Sequence, residues 1–414
     1  MRKIWAIPIV LYLGAALHTS CVTVQENQPK LTLDQRIDSA KVWHSIGKDD
    51  LLKARDGRAS YETAIKELHR AYTYTVAKDT TGTLDSLRKE ISLDLAYAFL
   101  MNKQLDSAEF YYRHVTEIDS TDPRGWQGLG FLYGIVKEDY VKGEEFYKKA
   151  LELSPDNPDV LFGLAKVYEK AGKPDEARKL YMEALERNPD NPALNRSYGE
   201  FLYEQGNYAE AIKYLEKAYE KRKDKKDLLE TLVDAYLKAK KSGANVNLEN
   251  ALPYATKLIE MADSLEKYKY YIKRAKIYEQ IGKKREAIAD YEKALELNPN
   301  AKILKVRLAY LYDDVGNTAK AEKLAREVAS DTSIDAKYRA PAWALLGDIR
   351  QRRAIALYKA KKYQEAVSTF DSAIAAYQQA ALLGSGSIKT YAQKQLDRVR
   401  KWRKKAWRKW KRID

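Results

Sequence analysis

Cysteine is all but missing. The 414-residue chain holds one, Cys21, so a single chain can build neither a disulfide framework nor a cysteine-based zinc site. Histidine is nearly as scarce. The four are His18, His44, His69 and His114; none is paired at metal-ligand spacing, and no His-Glu-x-x-His occurs. There is no P-loop. Gly128-Leu-Gly130 sits inside a helical pattern and follows no strand, which removes a dinucleotide reading. Ser45-Ile-Gly-Lys48 and Ser264-Leu-Glu-Lys267 match Ser-x-x-Lys, a pattern short enough to arise by chance. Carboxylates are plentiful but scattered over solvated positions. The expectation is no catalytic residue, no metal, no cofactor and no enzyme. Glycine (19) and proline (11) are few, and β-branched runs are scarce. Alanine, leucine, lysine, glutamate and tyrosine dominate, which favours helix. An apolar fraction of 45% is enough for a packed core.

Excess charge is confined to the ends. The net charge is +15, of which Arg2 and Lys3 carry +2 and Arg398 to Arg412 carry +10 without an acid, leaving +3 between them. The body is nearly neutral, so any argument from basicity concerns the tail.

The first residues read as an address. Met1-Arg2-Lys3 is a short basic start, and Ile4 to Leu17 is apolar but too short to span a bilayer comfortably. His18-Thr-Ser-Cys21 resembles a bacterial lipobox, with His18 where lipoboxes usually carry leucine. That resemblance implies a lipoprotein signal peptide over 1–20, removal of that segment, and acylation of Cys21. The polar, aperiodic stretch 21–34 is then a tether.

Self-similarity decides the fold class. Pro155 and Pro189, Gly172 and Gly206, and Gly282 and Gly316 are each 34 residues apart. In one unit, Pro158 to Lys170 places Leu161, Leu164, Ala165 and Tyr168 on one helical face. Gly172 supplies a turn, Pro174 opens a second helix, and Ala177, Tyr181 and Ala184 form its packing stripe. Other copies run through Trp126, Leu129, Gly130, Tyr133, Gly143, Tyr147, Ala150 and Pro155, with one residue inserted in the turn. Tyr271, Ala275, Tyr278, Gly282, Ala287, Tyr291, Ala294 and Pro299 form another. Asn195, Tyr198, Gly199, Leu202, Ala211, Leu215 and Ala218 repeat it, as do Leu308, Ala309, Tyr312, Gly316, Ala321 and Ala325. Weaker units cover 89–122, 226–267 (with extra residues around Ser242 to Asn245) and 340–381, whose first helix is about two turns longer. Pro123, Pro155, Pro158, Pro189, Pro192, Pro299 and Pro341 are read as unit boundaries, and Pro253 as a first turn or kink.

This pattern resembles the tetratricopeptide repeat (TPR) family. The resemblance implies an all-α fold: a right-handed superhelical solenoid of stacked helical hairpins, with about eight units over 89–381 and degenerate hairpins over 35–80. It also implies a concave face lined by first-helix residues that holds proteins or peptides. Tyr97, Phe131, Phe162, Lys166, Arg196, Tyr203, Arg307 and Tyr310 are the candidates for that contact. Packing against neighbouring repeats is the alternative for each. The 31 tyrosines are read as repeat packing rather than sugar stacking.

After Leu383-Gly-Ser-Gly-Ser387 the chain reads as one more helix, basic and tryptophan-rich, over 388–413. Leu396, Val399, Trp402, Ala406, Trp407, Trp410 and Ile413 fall in an arc of about 140°, and among the basic residues only Arg403 joins them. Three readings stand. The helix caps the last repeat; or Trp402, Trp407, Trp410, Lys404, Lys405 and Arg408 touch anionic lipid or an acidic partner; or it meets nucleic acid, which an exported chain is not expected to do. The functional expectation is a lipid-anchored TPR scaffold of the bacterial envelope, an outer-membrane lipoprotein facing the periplasm. The alternative is a glycan- or nutrient-binding lipoprotein on the same frame.

Overall fold

A computed structural model of the protein describes residues 31–76, 81–221 and 225–411. The expected signal peptide, Cys21, most of the expected tether and the end from residue 412 lie outside the described residues. Among the described residues there is no strand, and nineteen α-helices follow one another in chain order. The chain divides into two compact units, residues 1–194 and 195–414.

Among its described residues the first unit holds four helical hairpins. They are α1 (Leu33–Arg55) with α2 (Tyr61–Thr75), α3 (Thr83–Met101) with α4 (Leu105–Ile118), α5 (Pro123–Phe131) with α6 (Tyr140–Leu153), and α7 (Pro158–Lys170) with α8 (Pro174–Arg187). The division falls within α9 (Pro192–Glu204). The second unit continues with α10 (Tyr208–Lys221), α11 (Lys226–Lys241), α12 (Leu252–Met261), α13 (Lys267–Gln280) and α14 (Lys284–Leu297). It ends with α15 (Ile303–Asp314), α16 (Thr318–Ser330), α17 (Ala336–Lys359), α18 (Tyr363–Leu383) and α19 (Gly386–Trp410).

The local chemistry is legible in α7 and α8. Asn157 accepts the Asp159 N–H and Pro158 occupies the first turn, where its missing donor is harmless. Gly172 ends the helix at φ +72°, letting the Gly172 and Lys173 N–H groups reach back to the carbonyls of Glu169 and Tyr168 at 3.1 and 2.9 Å. Ala177, Tyr181 and Ala184 are fully buried. Repeats then interlock through a ring laid on a missing side chain. A Cβ at Gly163 would meet the Tyr147 ring of the preceding hairpin at 2.3 Å, and one at Gly128 would meet Tyr112 at 2.2 Å.

Tyrosine hydroxyls and lysines clamp the same joints. Tyr133 donates to Glu109 (2.7 Å) and Lys137 joins that carboxylate at 2.7 Å. Tyr168 and Lys173 do the same for Glu144, each at 3.0 Å. Tyr236 donates to Glu216 at 2.6 Å and Tyr312 to Glu292. These four tyrosines thus act in repeat packing.

Several boundaries differ from the sequence reading. Leu33 and Asp34 belong to α1 rather than to the tether, because Thr32 and Gln35 form a capping box. The inserted residue of the α5 unit lies not in the turn but in a π turn, Leu132–Val136, which absorbs it at the helix end. Pro341 lies inside α17 and marks no boundary. Asp335 caps that helix upstream, and burial of Ala340, Ala342 and Leu345 offsets the one backbone bond that the proline removes. Pro253 stands in the first turn of α12. The last helix starts at Gly386, two residues early, behind Ser385.

That helix is fastened to the final hairpin. Leu396, Val399 and Ala406 are buried with Phe370, Ala373 and Tyr377 of α18, and Trp402 and Trp410 pack against the same cluster. The Trp402 ring stacks on Phe370 (6.5 Å) and meets Tyr358 edge-on (5.6 Å). Tyr391 donates to Asp348 of α17 at 2.8 Å. Arg403, the one cation on the apolar arc, reaches Asp371 of α18 at 2.8 Å. α19 therefore caps the last repeat.

Candidate partner-binding surfaces

The first kind of surface is formed, unit by unit, by the first helices of each. Their charged side chains pair from one hairpin to the next within each unit. In the first unit His44 of α1 meets Asp94 of α3 at 2.7 Å, and Glu90 of α3 meets Arg124 of α5 at 2.6 Å. In the second, Arg196 of α9 meets Asp227 of α11 (2.7 Å), and Asp234 of α11 meets Lys273 of α13 (2.9 Å). Arg307 of α15 donates to Glu279 of α13 at 2.8 Å, and Arg352 of α17 to Asp313 of α15. The pairing leaves its mark on acidity: the Arg124 guanidinium holds Glu90 below its ordinary value, and Arg196 does the same to Asp227.

The eight residues expected at this surface lie on five first helices. Tyr97 of α3 is half-buried beside Tyr61. Phe131, at the end of α5, is 40% exposed. Phe162 of α7 is half-buried against the ring of Tyr181, with centroids 6.1 Å apart, and Lys166 one turn later pairs with Glu169 at 3.1 Å. On α9, Arg196 also pairs with Glu200 at 2.7 Å, and Tyr203 lies edge-on to Tyr208 with the Lys238 ammonium 4.2 Å from its ring centre. On α15, Arg307 is exposed, while Tyr310 is half-buried and donates to the Pro341 carbonyl at 2.9 Å. Burial pushes the Tyr310 hydroxyl above its ordinary pKa. The sequence reading missed the pairing partners of this surface, which come from helices about one repeat away. It also missed the exposed Phe110 (53%) and Val141 (80%), which stand on second helices.

The second surface is the outer side of α19. Lys394, Lys401, Lys404, Lys405 and Arg408 are all exposed there. On a helical wheel they fall within an arc of about 100°, opposite the buried stripe, and share that arc with one exposed carboxylate, Asp397, 3.9 Å from Arg400. The Lys405 ammonium lies 5.1 Å from the Trp402 ring centre. Among the three tryptophans, Trp402 and Trp410 are partly buried and Trp407 is 42% exposed at the side of the helix. Among the described residues, no carboxylate lies within ion-pair distance of Lys401, Lys404 or Arg408.

Three sequence models described as tetratricopeptide repeat match the chain, over residues 125–190, 162–226 and 200–412; the last alone spans half of it. A search of curated proteins finds no match. Similar solved structures include a tetratricopeptide repeat protein from Parabacteroides merdae, 18% identical with a TM-score of 0.40, matched over 66% of this chain and 99% of that one. A TPR protein of Thermus thermophilus is 20% identical (TM-score 0.41; 48% and 99% covered). The C-terminal part of a TPR repeat-containing protein from Cytophaga hutchinsonii is 17% identical (TM-score 0.45; 60% and 98% covered).

Proposed function

We propose that this chain, which belongs to the tetratricopeptide repeat family, is a scaffold of the bacterial cell envelope, anchored through acylated Cys21 and holding proteins or peptides on its first helices. Members of the family are generally non-catalytic and bind proteins or peptides. The observation that carries the binding reading is the first-helix surface itself. Its charges are largely paired within the protein, while rings such as Phe131 are left partly exposed. Such a face favours a partner that buries apolar area. The anchor rests on the single cysteine, which follows a basic start and a short apolar run. The reading places the protein at the outer membrane, facing the periplasm, without enzymatic activity.

Two measurements test it. Cells fed a clickable fatty acid should label the protein, and Cys21→Ala should abolish the label; a label that persists in the variant removes the anchor. Crosslinking followed by affinity purification of the full chain should recover a defined protein partner. Recovery of none, together with retention on a glycan column, would favour a glycan-binding role on the same frame.

A further inference from the structure

We infer that the outer ridge of α19 docks on an anionic lipid surface. The inference deepens the anchored reading above and rests on it only for the presence of a membrane nearby.

The ridge is built on a fixed element. The buried stripe of α19, the Tyr391–Asp348 hydrogen bond and the Arg403–Asp371 pair hold the helix against α17 and α18. Its 25 residues extend about 37 Å. Capping requires only the buried side. The helix dipole favours the cations of the last turn, Arg408 and Lys409, and Asp397 on the same face pairs with Arg400 at 3.9 Å, but neither accounts for the density of cations before that turn. Arg400 and Lys404, Lys401 and Lys405, Lys404 and Arg408, and Lys405 and Lys409 are all like-charged pairs one turn apart. Each such pair opposes the helix that displays it. The contrast with the first helices is sharp, because there charges pair from repeat to repeat. A cationic ridge held against its own repulsion gains its compensation from an external anion.

Shape decides which anion. A helix packed on one side presents a convex ridge, and an acidic peptide would find no groove along it to bury its backbone. A lipid headgroup layer is planar and meets a ridge along its whole length. Trp407, exposed at the side of the helix about 110° from the centre of the ridge on the wheel, lies outside the docking face.

The test uses the full-length chain, sedimented with phosphatidylcholine vesicles and with vesicles containing about 30% phosphatidylglycerol. The wild type is expected to prefer the anionic vesicles, and salt at several Debye-screening increments should erase the preference. Replacing Lys394, Lys401, Lys404 and Arg408 together by glutamine should weaken binding to anionic vesicles on the order of 1000-fold, at the usual gain per basic residue near a charged surface. All four side chains are exposed and the variant removes like-charged neighbours, so helix content by circular dichroism should not fall. No preference for anionic vesicles, or a preference that the glutamine variant retains, overturns the inference. Tighter binding to polyglutamate than to the vesicles also overturns it and makes an acidic polypeptide the occupant. An acyl chain partitions into both kinds of vesicle. A failed anchor would therefore lower binding to both, whereas failure of the ridge removes only the difference between them.

Discussion

At the scale of single residues, the turns between paired helices are the most revealing. Gly172, Gly206, Gly282 and Gly316 end first helices at φ between +72° and +83°. Equivalent turns elsewhere use Lys103, Glu138 and Lys361, at +61°, +57° and +64°. A side chain in that region crowds its own carbonyl, so these three turns are strained where the glycine turns are not. Lys103→Gly and Lys361→Gly should each stabilise the protein by about 0.5–1 kcal/mol, the relief of strain exceeding the added freedom of the unfolded chain. Gly172→Ala should destabilise by about 1 kcal/mol. Thermal unfolding checks all three, since 1 kcal/mol moves the midpoint of a unit this size by about 2–4 °C. His69 makes a second prediction. It lies edge-on to Phe99 and Tyr111, at 5.5 and 5.7 Å, and burial lowers its pKa to about 4. The unfolded chain takes up that proton first, near pH 6.5. Stability is therefore complete above pH 6.5 and falls by up to about 3 kcal/mol as the pH drops to 4. His69→Gln should flatten the stability profile over that window; parallel profiles would remove His69 as the cause. The carboxylate clamps respond lower down. Burial opposes ionisation of Glu109, but hydrogen bonds from Lys137, Tyr133 and Arg113 outweigh it and bring its pKa down to about 2. Its contribution persists above pH 4.5 and is lost between there and 2.

At the scale of elements, two joints carry most of the argument. The Tyr147 ring lies where a Gly163 side chain would be, so Gly163→Ala must displace a fully packed aromatic ring. We expect a loss of about 1–3 kcal/mol by overpacking, read from denaturant unfolding. The cap has its own hinge pin. Asp348 accepts hydroxyls from Tyr377 (2.6 Å) and Tyr391 (2.8 Å), tying α18 and α19 to α17. Asp348→Ala leaves both hydroxyls without that acceptor. It should cost about 1–3 kcal/mol and raise amide exchange in α19 before exchange rises in α17. Unchanged protection of α19 would show that the buried stripe alone holds the cap. These joints also show what a sequence exposes. The 34-residue spacing was readable because glycine, proline and alanine mark turns, starts and close approaches for separate steric reasons. The α1 start was missed because its signal is a capping box, Thr32 with Gln35, rather than a glycine or proline. The turns at Lys103, Glu138 and Lys361 carry no compositional mark. Pro341 misled because a proline in a helix is tolerated when enough apolar surface is buried around it. On the helical wheel Trp407 shares an arc with Trp402 and Trp410, but the edge of that arc faces solvent once α18 is in place.

At the scale of the whole molecule, the two candidate surfaces differ in how they treat charge, and this predicts how partners are held. The first helices of each unit pair cations with carboxylates of the next hairpin, as in Glu90–Arg124, Arg196–Asp227 and Asp234–Lys273. Such exposed pairs add little stability individually, but they leave the face close to neutral. A protein partner seated there gains affinity from rings rather than from long-range attraction. Its capture should change little as salt rises through the range that screens surface charge. Phe131 is the most exposed ring among the eight residues assigned to that face. Phe131→Ala should raise the dissociation constant roughly fivefold to thirtyfold, the scale of a 1–2 kcal/mol contact. The measurement is titration of the recovered partner against the full chain at low and high salt, for wild type and variant. Steep weakening with salt, together with indifference to Phe131→Ala, would sink the assignment. It would move the partner to the ridge of α19, where Lys401, Lys404 and Arg408 have no carboxylate within ion-pair distance among the described residues.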